Sequence, residues 1–198
     1  ILRVARLEEI CPLVRIRNLD YSLAAGYLDA GAIGLMLPRV EKVTDTETLV
    51  SFMKYPPEGI RGLSGDAPHS DYRFGDLAEF IEIKNQDTVA IAQIERKVAI
   101  ENLEEILSVT GIDVALVGPE DLSLSYGVPG QTSHPTVVNA IQKVIDISVK
   151  LGVAPGIHLG NIEKLIEWKE KGMQVIMYNS DLGFLLEGAK DGIKALKN

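Results

Sequence analysis

Two acidic residues stand where short apolar runs end, and each has the chemistry to hold a hard cation. Glu95 closes the run 88–95 (TVAIAQIE), with Gln93 two residues before it. A period of two places the Gln93 and Glu95 side chains on one face of a strand and Ile94 on the other. A carboxylate turned inward is costly unless it is paired or metal-bound. Glu95 therefore reads as a metal ligand or as the partner of Arg96 or Lys97. Asp121 follows a second run, 114–119 (VALVGP), in the segment Gly118-Pro119-Glu120-Asp121-Leu122-Ser123. It reads as the N-cap of a short helix or as a second oxygen ligand, with backbone N–H groups of the same turn open to an anionic carboxylate. Two carboxylates completed by water and a chelating substrate match the oxygen-rich, octahedral preference of Mg2+ or Mn2+.

Arg15 lies in the apolar run 12–16 (PLVRI). A buried-type arginine needs an anion: a carboxylate or enolate oxygen of a ligand, or a structural acid on a neighbouring strand. Arg17, two residues on, shares that face or is solvated. Asp29 closes a helical stretch just before Gly31. That is the unfavourable end for an acid, which leaves room for a role besides surface charge. His158, in 154–159 (APGIHL), faces either a substrate pocket or the core, and His134 before Pro135 reads as a helix cap. His69 sits in a loop and reaches a site only if that loop folds inward. The histidines are not spaced like a zinc motif. Cys11, the single cysteine, reads as a partly buried small hydrophobe, and it excludes an intrachain disulfide.

Short apolar runs must hold these residues in place. Strands are expected near residues 13, 35, 91, 115, 156 and 176, alternating with helices over 19–30, 45–53, 74–85, 98–109, 135–151, 162–171 and 182–196. The stretch 55–65 (YPPEGIRGLSG) contains two prolines and three glycines and is a shaped loop. Runs apolar on both faces are what parallel strands covered by helices require. The chain is therefore an α/β protein, either an open doubly wound sheet or most of a TIM (β/α)8 barrel, whose active site forms at the C-terminal ends of the strands. No G-x-G-x-x-G or Walker A sequence supports the nucleotide-binding form of the open sheet. A barrel usually needs about 250 residues. Residues 1–198 are read as one barrel domain lacking its first one or two βα units, in keeping with a start at Ile1 rather than methionine.

The chain has 198 residues, 46% hydrophobic and 24% charged, which excludes a disordered, collagen-like or disulfide-framed protein. Its net charge of −8 argues against nucleic acid or anionic membrane as partner. No apolar run approaches the ~18 residues of a membrane span. A single cysteine suits a reducing, cytoplasmic compartment.

Taken together, VRI (14–16), LDAGAIGLMLPRV (28–40), KYPPEGIRG (54–62), QIE (93–95), ENLEEIL (101–107), GID (111–113), GPEDLSLSYG (118–127), HP (134–135) and APGI (154–157) resemble the HpcH/HpaI aldolase family. These are metal-dependent pyruvate aldolases on a barrel of the phosphoenolpyruvate/pyruvate-binding type. The resemblance implies a class II pyruvate aldolase cleaving a 4-hydroxy-2-oxo acid to pyruvate and an aldehyde. Glu95 and Asp121 would hold Mg2+ or Mn2+, and Arg15 would bind the 2-oxo acid and stabilise its enolate. Gln93 would hydrogen-bond near the metal, the backbone of Glu120 and Asp121 would take the pyruvate carboxylate, and His158 would line the substrate pocket. Asp29 looks like the aspartate that supports the catalytic base, and assembly would be a homo-oligomer, a hexamer.

The chain departs from the family pattern in places. It contains no Glu-His pair of the kind that carries the family's proposed base. The loop after RGLSG reads Asp66-Ala67-Pro68-His69-Ser70, and Glu120 stands where a small residue is usual. Two other readings stay open: an acyl-CoA lyase of the citrate-lyase β-subunit type, and a non-catalytic barrel that binds an oxo acid.

Overall fold

The structure is a computed structural model that describes residues 1–65, 67–73 and 75–197. The expected alternation gives six strands: β1 (Leu13–Arg15), β2 (Gly34–Leu37), β3 (Val89–Ile94), β4 (Val114–Val117), β5 (Ala154–Leu159) and β6 (Val175–Tyr178). They form one sheet in the order β1-β2-β3-β4-β5-β6, every neighbour parallel. A doubly wound sheet reverses its strand order at a switch point. This sheet never does, so its order is that of a barrel wall.

Each parallel pair needs a crossover that returns the chain to the N-terminal edge of the sheet. Helices α2 (Tyr21–Asp29), α3 (Val43–Met53), α4 (Leu77–Asp87), α5 (Lys97–Glu101), α6 (Leu103–Leu107), α7 (Pro119–Ser125), α8 (Pro135–Leu151) and α9 (Ile162–Glu170) supply it, while α1 (Leu2–Leu7) precedes β1 and α10 (Asp181–Lys197) follows β6. One face of the sheet packs on them through Leu35, Leu37, Ala90, Ala92, Ile94, Ala115 and Val117. The other face carries a smaller cluster of Met36, Ile91, Val114 and Leu116. Alternation along β3 therefore aims Ile91 and Gln93 at the inner layer while Ile94 joins the main core.

Several boundaries differ from the sequence reading for identifiable reasons. The helix expected over 98–109 breaks at Asn102, whose side chain donates to Glu41 O at 2.8 Å and separates α5 from α6. Helix α3 begins at Val43, because the Asp45 carboxylate reaches back to the N–H groups of Glu41 and Lys42 instead of capping its own turn. Helix α4 is capped by Asp76, which accepts from Glu79 N. Phe74, the expected start of that helix, lies outside the described residues. Helix α1 and a 3-10 turn at Pro68–Ser70 were not anticipated. His134 caps α8, its Nδ1 accepting from Thr136 N at 3.3 Å, and Gly152 closes that helix in the left-handed region. Cys11 is exposed rather than partly buried. Among the described residues no helix is long and apolar enough to cross a membrane.

Gly34 is a point of close approach where β1, β2 and β3 meet. A Cβ there would lie 2.5 Å from Val89 O and 2.8 Å from Leu13 Cδ2, whereas one at Gly26, inside α2, meets nothing within 4 Å. Gly34→Ala should lower unfolding free energy in urea by about 1–3 kcal/mol. Gly26→Ala should be neutral or raise it by up to about 1 kcal/mol.

Candidate active site

Glu95 directly follows β3 and is 3% exposed. Both its oxygens are held. Oε1 accepts from the backbone N–H of Arg39 at 2.8 Å, and Oε2 accepts from Gln93 Nε2 at 2.6 Å. Arg39 presents that N–H because it sits in the left-handed region at φ 56°, unusual for a residue with a side chain. Gly118, at the end of β4, leaves the space: a Cβ there would lie 3.1 Å from Glu95 Oε2 and 3.2 Å from Gln93 Nε2. The cationic neighbours expected for Glu95 are engaged elsewhere. Arg96 pairs with Glu41 at 2.7 Å and Lys97 with Glu101 at 3.7 Å. Burial pushes the Glu95 carboxyl above the ordinary range, and the charge of Asp121 adds to this. The Arg39 N–H and the Arg15 and Arg39 cations oppose it.

Asp121 lies in the first turn of α7, behind Pro119 at the helix start. It is exposed and holds no hydrogen bond or ion pair of its own among the described residues, so it is not the N-cap. Arg15, Arg17, Arg39, Arg96, Glu95 and Asp121 line one cleft of about 690 Å3 at the C-terminal end of the sheet. Arg15 is exposed rather than buried, because β1 is an edge strand, and it carries no ion pair among the described residues. Gln93 Oε1 is buried without a partner among the described residues, beside the carboxylate that its amide nitrogen holds.

The other expected site residues are placed differently. Glu120 is exposed in the first turn of α7, its carbonyl accepting from Ser123 Oγ at 2.7 Å, and it does not line the cleft. His158 faces the inner layer from β5, but its Nε2 stands 3.2 Å from Asn179 O and it too is outside the cleft lining. Asp29 ends α2, and the crossover carries it to the N-terminal edge of the sheet, away from the carboxylate pair. There it accepts from Arg61 Nη2 at 2.8 Å and lies 3.9 Å from His69 Nδ1. Sequence reasoning missed Arg39 and Gly118. Gly118 is legible as the small residue of the GPED turn, but nothing in the sequence marks Arg39.

The loop after α3 builds a second cluster at that far edge. Tyr55 is buried, with the Arg61 guanidinium 4.7 Å from its ring centroid and its hydroxyl 3.3 Å from His69 Nε2. Lys54, also buried, donates to Thr88 O at 3.0 Å and to Asn85 O. Asn85 and Tyr55 exchange two hydrogen bonds, at 2.7 and 3.1 Å. The loop after RGLSG thus does turn its histidine inward, but at the end of the sheet opposite Glu95.

These elements agree with a known family, whose model, described as HpcH/HpaI aldolase/citrate lyase, matches residues 2–187. The chain belongs to the HpcH/HpaI aldolase/citrate lyase family. It is 38% identical over 154 residues to the hydroxypyruvate/pyruvate aldolase of Sagittula stellata, covering 78% of this chain and 60% of that protein. It is 34% identical over 186 residues to the 2-dehydro-3,6-dideoxy-6-sulfogluconate aldolase of Pseudomonas putida, covering 94% of this chain and 72% of that protein. An HpcH/HpaI aldolase structure from Desulfitobacterium hafniense superposes with a TM-score of 0.96 at 33% identity, over 100% of this chain and 76% of that one. The chain spans about 60% of the length of the Sagittula relative.

His69 supplies a test of the far cluster. Burial and the Arg61 charge hold its pKa below the ordinary 6.5, against a smaller opposing pull from Asp29. A folded-state pKa below the unfolded one means that the folded protein resists protonation. Folding stability should therefore be insensitive to this group above pH 6.5 and fall as the pH drops below it. His69→Gln should flatten that part of the stability-versus-pH curve in urea titrations; an unchanged curve would show that His69 is not held neutral.

Proposed function

We propose that Glu95 and Asp121 hold a divalent cation, Mg2+ or Mn2+, and that the protein is a class II pyruvate aldolase acting on a 4-hydroxy-2-oxo acid. The observation that carries this reading is the nearly inaccessible Glu95 carboxylate, fixed through both oxygens yet left without a cationic side-chain partner, on a cleft shared with the free Asp121. Two carboxylates with open space around them suit a hard cation that keeps waters and takes up substrate oxygens. When bound, such an ion supplies Lewis-acid polarisation of the substrate's 2-oxo group.

The chain's own residues do the remaining work. Gln93 and the Arg39 N–H orient the Glu95 oxygens. Arg15, which holds no ion pair among the described residues, would set its guanidinium near the 2-oxo oxygen as that oxygen gains charge. The first turn of α7 offers backbone N–H groups for the pyruvate carboxylate. In the retro-aldol step a base takes the C4 hydroxyl proton, the C3–C4 bond breaks, and its electron pair moves into the enolate of pyruvate while C4 leaves as the aldehyde. Proton return to C3 completes pyruvate. Arg15 stabilises the enolate oxygen, a contribution that exists only once charge has developed. The roles expected for Glu120 as a backbone donor and for His158 as a pocket-lining group belong to the same proposal.

We further read the six-stranded wall as part of a (β/α)8 barrel, supported by its sequential parallel order. A homo-oligomer, a hexamer by family resemblance, is supported by α10, which buries none of its residues while Leu182, Leu185 and Leu196 stand exposed. The expected setting is the cytoplasm, supported by a single, exposed cysteine.

Pyruvate release from a 4-hydroxy-2-oxo acid tests the activity. It should require added Mg2+ or Mn2+ after chelation, fall to background in Glu95→Ala, and drop by about 10²–10³ in kcat in Arg15→Gln. Release that persists without metal would refute the reading. Gly118→Ala crowds the Glu95–Gln93 pair while leaving both proposed ligands, Glu95 and Asp121, in the sequence. Mn2+ binding followed by calorimetry should weaken about 10–100-fold, as for other disturbed supports of metal ligands.

A further inference from the structure

We infer that Glu41 is a positioning residue for the proposed cation site: by gripping Arg96 it holds the 39–42 turn that delivers the Arg39 N–H to Glu95. The inference rests on the reading of Glu95 and Asp121 as ligands for its consequence, and on the contacts alone for the positioning. Two short segments grip each other twice. The Arg39 N–H donates to Glu95 Oε1 at 2.8 Å, and Arg96 Nε, on the next residue, pairs with Glu41 Oε1 at 2.7 Å. The backbone runs 39–41 and 95–96 close these two contacts into a ring, so neither segment shifts without disturbing one of them.

The turn needs that second contact. A residue with a side chain persists in the left-handed region only where its surroundings over-determine it, and Arg39 sits there at φ 56°. Glu41 is held at its N–H, its carbonyl and its carboxylate. The N–H donates to Asp45 Oδ2 at 2.9 Å, the carbonyl accepts from Asn102 Nδ2 at 2.8 Å, and the carboxylate pairs with Arg96. Val40, between Arg39 and Glu41, is fully buried in the helix-side core. Thr46 Oγ1 donates to Ile106 O at 3.2 Å and so fastens α3 to α6, the helix that Asn102 opens. The network also reaches the second proposed ligand. The Lys97 N–H, beside Arg96, donates at 2.9 Å to Oγ of Ser125, the last residue of α7, which carries Asp121. The Glu41 and Arg96 side chains are each 40% exposed. An exposed ion pair adds little to stability, so the effect of this one belongs to the site and not to the fold.

The test is Mn2+ binding by calorimetry on variants of the full chain, beside urea unfolding and hydrogen exchange of the Arg39 amide in the metal-free protein. Arg96→Ala removes a positive charge from the cleft wall, so charge alone predicts tighter Mn2+ binding, whereas loss of the grip predicts weaker binding. Affinity should fall about tenfold, as for other disturbed supports of metal ligands. Glu41→Ala should cost as much, and Arg96→Lys, which keeps a cation for Glu41, should recover part of the loss. The double variant Glu41→Ala/Arg96→Ala should be no worse than either single one, because all three remove the same contact; charge alone would return it to the wild-type affinity. Urea midpoints should stay close to wild type, while the Arg39 amide should exchange several-fold faster in both alanine variants. Tighter binding in Arg96→Ala would overturn the inference, as would a double variant restored to wild-type affinity. An affinity loss matched by an equal loss of stability would mark the pair as structural and count against it. A wild type that binds no Mn2+ would sink the metal reading; the grip would then stand on faster Arg39 exchange in the alanine variants and fall on unchanged exchange.

Discussion

Burying the Glu95 carboxylate constrains the whole carboxyl end of the sheet. Removing an ionised carboxylate from water costs several kcal/mol even in real, relaxed protein interiors, and the chain opposes that cost with two neutral donors, the Arg39 N–H and the Gln93 amide, and with the nearby Arg15 and Arg39 charges. Each hydrogen bond to a charged group returns about 1.5–3 kcal/mol. The left-handed turn at Arg39 costs about 1–3 kcal/mol. Burial outweighs these contributions, so the Glu95 carboxyl stays above the ordinary range. On the proposed reading, a divalent cation held by Glu95 and Asp121 would offset the remaining cost of burial.

The two ends of the sheet divide their labour, and the hydrogen bonds show how. At the carboxyl end, charged groups are left free: Asp121, Arg15, Arg17 and Arg39 face a cleft without ion pairs among the described residues. At the amino end, the main buried charges are paired or hydrogen-bonded. Arg61 holds Asp29, Lys54 is spent on backbone carbonyls, and Asn85 is stitched to Tyr55. A barrel sheet places function at the first end and stability at the second. The unpaired Arg15, Arg17, Arg39 and Asp121 gather at the first end, and the Asp29–Arg61 pair and the Lys54 contacts at the second.

Legibility in the sequence followed the same division. Helix α8 and strand β5 were readable to the residue, because proline, glycine and unbroken periodicity bound them. Gln93 and Glu95 were readable because a period of two admits one arrangement. What escaped were effects of tertiary contact: the break at Asn102, made by a carbonyl sixty-one residues away, and the N–H of Arg39, whose backbone angle no local pattern announces. The segment most useful for recognising the family, KYPPEGIRG, lies at the structural end in this chain. Its likeness locates the family without locating the cleft.

Asp29 shows why resemblance and geometry must be kept apart. The match LDAGAIG fixes its identity, yet the crossover through α2 delivers it to the edge of the sheet opposite Glu95, where a buried guanidinium already claims it. An acid at a helix C-terminus meets the negative end of the helix dipole, and a local cation offsets that repulsion. Arg61, with 3% of its side chain exposed, is that cation, and Asp29 is in turn the carboxylate that permits a guanidinium to be buried there. Removing either alone strands a charge in a poorly solvated place, which is the costly way to break such a pair. Within this chain the pair therefore holds the 54–65 loop to α2, and any further duty of Asp29 must be compatible with that bond.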